Sequence, residues 1–264
     1  MFPLTTPFPS VNDVAFFALV LGRMAGIFAA IPLFGGRRVP MNIKVLVVFA
    51  LTVVCFPLIK AKIPQLPADM LSLGMLMIRE ALVGTCLGLL SLIIFAAVEF
   101  CGQICGIQMG LSIVSEIDPS RGSQLSIISI FQEMFATLLF LSLNVHHVFI
   151  NALVESYAVL PVGAWTMSEG LLNFLVVTIG QVFILAIKLS APIMVILLLT
   201  SVMLGIMARA FPQMNVFFVS MPLNIGIGFI ILGLSLTVFL HTLRGSFGAL
   251  DEQIMALMKL MGKG

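Results

Sequence analysis

His146, His147 and Glu155 are the residue types from which a metal site is built. They do not form the H-E-x-x-H spacing of a zinc hydrolase, and no further His, Cys or carboxylate cluster supplies a spaced third ligand. The two histidines read as a helix-end pair, hydrogen-bonded near an interface. Cys101 and Cys105 stand four apart, which makes them neighbours on one helical face. With Cys55 and Cys86 they lie in apolar or Gly-rich surroundings and read as small buried hydrophobes. No serine sits in a nucleophile elbow, and no Gly-rich loop leads into Lys-Ser or Lys-Thr. This inventory points away from catalysis, ATP binding and any cofactor.

The polar residues concentrate elsewhere. Residues 99–124 are rich in Gly, Gln and charge and lie between long apolar runs. Unpaired backbone amides lose their water in lipid without compensation, so such a segment must be wrapped in protein or line a wet cavity. Gly102, Gln103, Gly106, Gln108, Met109 and Gly110 open it, and Glu116, Asp118, Pro119, Arg121 and Gly122 follow. The glycines fit close helix packing, Gly102 and Gly106 being four apart. Packing does not explain the two glutamines or the charged stretch after them. Asp118-Pro119 starts a turn, and Gly122 permits positive φ. The segment, bounded as 98–124, is expected to be a mobile polar loop able to close a pore.

The elements around it belong to a membrane protein. Hydrophobic residues make up 61% of the 264 and charged residues 9%, against about 25% charged in soluble domains. Mean hydropathy is +1.21. Net charge is +2, which gives no case for nucleic acid. Apolar runs appear at 14–34, 45–59, 70–98, 125–144, 171–187, 189–208 and 214–243, and they lack the alternation of strands. They predict an all-α, polytopic bundle. A short amphipathic helix is predicted at Asp251–Met261, within a C-terminal segment 245–264.

The runs fit a bilayer badly, since a span needs about 20 apolar residues. Val45–Ile59 offers 15, including Pro57. The stretch between Arg209 and Arg244 is too long for one straight span and contains Pro212 and Pro222. Arg23, Glu80, Glu99, Glu133, Lys188 and Arg209 sit within or at the edge of apolar segments, where charges usually face protein or water. Basic clusters flank Val45–Ile59 on both sides, at Arg37, Arg38 and Lys44 and at Lys60 and Lys62. A single crossing would put them on opposite faces, against the positive-inside tendency. The run is expected to be a hairpin arm or half-span that does not cross. Long, bent helical hairpins completed by partner subunits are the architecture this implies.

Arg209, Pro212, Gln213, Met214, Asn215, Val216 and Phe217 form a further polar string. Pro212 removes a helical donor, and Gln213 and Asn215 can pair the freed backbone groups. A junction where one helix ends and another starts is expected there, with Asn215 satisfying buried groups. Met203, Met207 and Met221 nearby read as core filling, with a deformable apolar lining as the alternative.

With these strings and the Pro161-Val162-Gly163 turn, the chain resembles the FliR family of flagellar export-apparatus proteins, and the similar subunit of virulence secretion systems. Arg23, Pro32, Pro40, Glu80 and Gly84 also look like family positions. The likeness spans residues 1–264 as one domain; Val145 stands where the family pattern has Gly. The resemblance implies a non-enzymatic core subunit of a protein-export gate in the inner membrane and flagellar basal body, raised toward the periplasmic side. Implied partners are P-type and Q-type gate subunits, an autocleaving substrate-switch subunit, a large export-gate subunit, rod proteins and unfolded cargo. It implies a pore plug at Gly106–Gly122. Arg23, Glu80, Glu133, Lys188, Arg209, Pro212, Gln213, Asn215, Phe217 and Pro222 are expected at structural junctions or subunit interfaces. Two other classes remain: a secondary transporter or channel, though transporters usually show paired halves that are missing here, and an intramembrane hydrolase or metalloenzyme using His146, His147 and Glu155.

Overall fold

A computed structural model describes residues 11–35, 39–59, 66–67, 69–111, 126–213 and 215–262, without the side chains of Leu33 and Phe217. Among these residues the chain is all helix and turn. The helices are α1 (Val11–Ala30), α2 (Pro32–Gly35), α3 (Met41–Ile59), α4 (Met70–Gln108), α5 (Ile127–Ser142), α6 (Val145–Val159), α7 (Glu169–Ala210), α8 (Val216–Gly248) and α9 (Leu250–Met261). Five of the described helical stretches are long and apolar enough to cross a membrane, and α5 with α6 would make a sixth as one broken span.

Several boundaries differ from the sequence expectation. α3 begins at Met41 and has 19 residues, not 15, so its length no longer argues against a crossing. The N–H groups of Ile43 and Lys44 bond the Pro40 carbonyl, which starts the helix four residues early. The runs 171–187 and 189–208 are one helix, α7, of 42 residues; neither Lys188 nor Pro192 breaks it. α6 was hidden in the sequence because His146, His147, Asn151, Glu155 and Ser156 interrupt its apolar pattern. Asn144, at φ 55°, separates it from α5. The amphipathic C-terminal helix begins at Leu250, because 245–248 complete α8.

The chain divides into two compact units. The first holds residues up to 92, 144–177 and from 249 onward. Its core is the crossing of α1 with α4. Glycines make the approach possible: a Cβ on Gly84 would collide with the Arg23 backbone, one on Gly26 with Ala81, and one on Gly88 with Ile27. Gly22 and Gly26, like Gly84 and Gly88, follow the small-xxx-small spacing that lets helix backbones touch. α9 buries Leu250, Ile254, Leu257, Met258 and Met261 in this unit and is tied down where Ser168 Oγ donates to the Leu260 carbonyl at 3.2 Å.

The second unit holds residues 93–143 and 178–248. Phe95, Phe140 and Phe247 pack mutually, with ring centroids 5.7–5.8 Å apart. Tilted and edge-on ring contacts of this kind add to simple area burial.

Candidate functional site

Two places gather the residues singled out by the sequence, one in each unit. The first is a buried charge cluster. Arg23 on α1 is fully buried, and so nearly is Glu80 on α4. Arg23 Nε donates to Glu80 Oε2 at 2.6 Å, and Nη2 lies 2.6 Å from the same oxygen. Nη1 donates to Ser156 Oγ at 2.8 Å, and Nη1 and Nη2 both reach the Leu160 carbonyl at 3.3 Å. A guanidinium has five N–H donors, and each meets an acceptor here. The carboxylate also accepts from the Tyr157 hydroxyl and the Gly163 N–H, both at 3.4 Å. The guanidinium carbon lies 3.8 Å from the Tyr157 ring centre.

The sequence named Arg23 and Glu80 as depth-placed charges but not as partners. It missed Ser156 and Tyr157, because their helix was not recognised. The Pro161-Val162-Gly163 turn supplies the remaining contacts. Gly163 takes φ 75°, which a β-carbon disfavours, and its N–H meets Glu80. The glycine pairs of α1 and α4 were visible as i, i+4 spacings and mark the close approach that brings Arg23 beside Glu80.

The second place is the end of α4. The expected loop does not start at residue 98: α4 continues through Gln108, so Gly102, Gln103, Gly106 and Gln108 are helical. Interior glycines weaken a helix by about 1 kcal/mol each, but packing outweighs that here. Gly102 touches Ser129 of α5, where a Cβ would lie 2.7 Å from Ser129 Oγ. Ser129 Oγ donates to the Glu99 carbonyl at 3.1 Å. Cys101 and Cys105 are fully buried on the same helix. Gln103 bonds Glu99 one turn back at 3.3 Å.

α4 ends at Gly110. Its N–H bonds the Ile107 carbonyl, and the Leu111 N–H bonds the Gly106 carbonyl, both at 3.0 Å. With Gly110 at φ 79° this is a Schellman termination, which needs a residue at ease in the left-handed region. Met109 is fully buried against Gly228 of α8, where a Cβ would sit 2.6 Å from the Met109 Cγ. The side-chain oxygens of Gln108, Gln132 and Asn224 are buried with no hydrogen-bond partner among the described residues. Glu116, Asp118, Pro119, Arg121 and Gly122 lie outside the described residues.

The other expected positions are scattered. Glu133 on α5 is half-buried, and its carbonyl accepts from Thr137 Oγ1 at 2.8 Å. Lys188 is exposed on α7. Arg209, Pro212, Gln213 and Asn215 are exposed around the connection between α7, which ends at Ala210, and α8, which starts at Val216. Among the described residues Asn215 therefore strands no buried group when removed, contrary to expectation; its carbonyl accepts from the Phe218 N–H at 3.2 Å. Pro222 lies exposed inside α8, and Phe217 has no described side chain. The His146 and His147 rings lie 4.3 Å apart between centres and are tilted 59° to each other. Among the described residues no three His, Cys, Asp or Glu side chains gather as metal ligands.

The family model of bacterial export proteins, family 1, matches residues 14–250. The chain is 37% identical over 249 residues to the flagellar biosynthetic protein FliR of Bacillus subtilis, covering 93% of this chain and 95% of that one. It is 30% identical over 229 residues to the protein of the same name from Aquifex aeolicus, covering 85% and 86%. The Escherichia coli protein of that name is 28% identical over 206 residues, 78% of each chain.

Proposed function

The chain belongs to the FliR family of bacterial export proteins and is a multi-pass membrane subunit of a flagellar export apparatus; from that premise we propose that it forms an export channel together with P-type and Q-type subunits. It does no chemistry. It gives unfolded flagellar proteins a path out of the cytoplasm and helps to start the rod above it. The observation that carries this reading is the length of exposed apolar surface in the second unit. Large apolar side chains stay exposed from Ile179 to Met207 on α7. That stretch rises about 42 Å at 1.5 Å per residue, while a bilayer core covers about 30 Å. The remainder must be covered by protein, because exposed apolar patches of this size mark interaction surfaces. Partner subunits are the natural cover, and a core raised to the periplasmic side of the membrane is consistent with it.

Gly106–Gly122 is the plug of that channel in this reading. The Schellman end at Gly110 supports it: it stops α4 ahead of the charged residues that start at Glu116 and turns the chain out of helical geometry. The rest of 98–110 works as a packed helical stem instead of a loop.

The test is co-expression. The full chain produced alone should be degraded or aggregate, and with its P-type and Q-type subunits it should purify as one stable complex. Shortening residues 112–122 should leave that complex assembled while cells become leaky to ions. A well-behaved monomer unchanged by partners overturns the channel-subunit reading; intact assembly with no leak overturns the plug.

A further inference from the structure

Lys188 stands between uncharged residues 171–187 and 189–208 of α7. Either end of the helix is about 30 Å away at 1.5 Å per residue, beyond the reach of a snorkelling lysine. Its side chain is exposed, and among the described residues no hydrogen bond or ion pair holds its ammonium. It borders a groove of about 690 Å³ between α7 and α8. Val195, Leu234 and Val238 line that groove and are themselves exposed. Pro192, also in the lining, has no N–H to offer the Lys188 carbonyl, so a second polar atom of Lys188 lacks its helical partner. Ser235 is the other polar lining residue, and its hydroxyl donates to the Leu232 carbonyl at 3.2 Å.

An apolar trough with one cation on its rim fits an apolar helix that brings one negative charge. A neutral helix seated there would strip water from the ammonium and return nothing. We propose that the α7–α8 groove seats an apolar helix of another export-gate subunit, and that a single Asp or Glu on that helix pairs with Lys188. The pairing sets the register of the two subunits, because one rotation and one height of the incoming helix bring its carboxylate to the ammonium. It rests on the reading of the chain as a gate subunit.

The experiment uses the complex of the full chain with its co-expressed gate subunits. Dicyclohexylcarbodiimide, an apolar zero-length reagent, couples an amine to a carboxylate in direct contact. Mass spectrometry of the treated complex should find Lys188 joined to one acidic residue of another subunit. Lys188→Arg should keep assembly and lose the cross-link, since a guanidinium does not couple. Lys188→Glu should lower the yield of complex at least tenfold, and Lys or Arg at the cross-linked position should restore it. Undiminished assembly of Lys188→Glu overturns the proposal and leaves the gate-subunit reading standing. So does a wild-type complex that forms but yields no cross-link at Lys188, or one whose groove holds phospholipid. A wild-type chain that assembles with no partner overturns both.

Discussion

Replacing Glu80 with alanine removes the countercharge of a guanidinium that has 0% exposure. Two of its donors, Nε and Nη2, point at Glu80 Oε2 from 2.6 Å and lose their acceptor. The Ser156 and Leu160 contacts remain, but both are neutral acceptors. Removing one partner of a buried pair costs about 3–5 kcal/mol. Domain stabilities run to about 5–15 kcal/mol, so this one change takes about a fifth or more. Arg23→Met should be milder than Glu80→Ala, because a lone buried carboxyl can take up a proton whereas a guanidinium stays charged. The double variant Arg23→Met with Glu80→Leu should be less harmful than either single one, because no charge is then left buried. The assay is unfolding of the full chain, inside its complex, in detergent micelles with increasing denaturant, supported by the lifetime of each variant in cells. A Glu80→Ala loss below about 1 kcal/mol, the range of exposed pairs, would refute the reasoning. Additive losses in the double variant would refute the coupling.

Gly84→Val should abolish the α1–α4 crossing, because its Cβ collides with the Arg23 backbone, which cannot give way; Gly74→Val, with nothing within 4 Å, is the control. Protease resistance of the complex separates the two. Gly110→Ala should weaken the α4 termination by about 1–2 kcal/mol, the cost of the left-handed region for an L-residue, read as faster amide exchange at Leu111. Asp69 precedes α4, and the Ser72 N–H, then its hydroxyl, hold the Asp69 carboxyl below its ordinary value. A depressed carboxyl stabilises above the unfolded value of about 3.9, and that contribution fades as pH falls through the lower folded one. The protection of the Ser72 amide, its exchange rate divided into the intrinsic rate at the same pH, should therefore fall in acid for the native chain, and be low already at neutral pH for Asp69→Ala.

Composition by itself determined the class of this protein. So few charges place the chain in an apolar medium, long apolar runs without strand alternation can satisfy their backbone there only as helices, and hydropathy placed most of those helices. Local chemistry also marked the Pro161-Val162-Gly163 turn, the break around Pro212 and Gly110 as a flexible position. Tertiary structure decided what hydropathy is blind to. Lys188 looked like an interruption, yet a long helix runs through it and through Pro192 one turn later. Gly102 and Gly106 looked like a loop, yet Ser129 packed against Gly102 keeps α4 helical to Gln108. Arg23 and Glu80 were each conspicuous as charges at depth, but they are 57 residues apart, and Arg23 is 133 from Ser156. A sequence shows that a buried charge needs a partner. Which partner it finds depends on how closely two helices approach, and that is set by glycines whose missing side chains matter only once the helices meet.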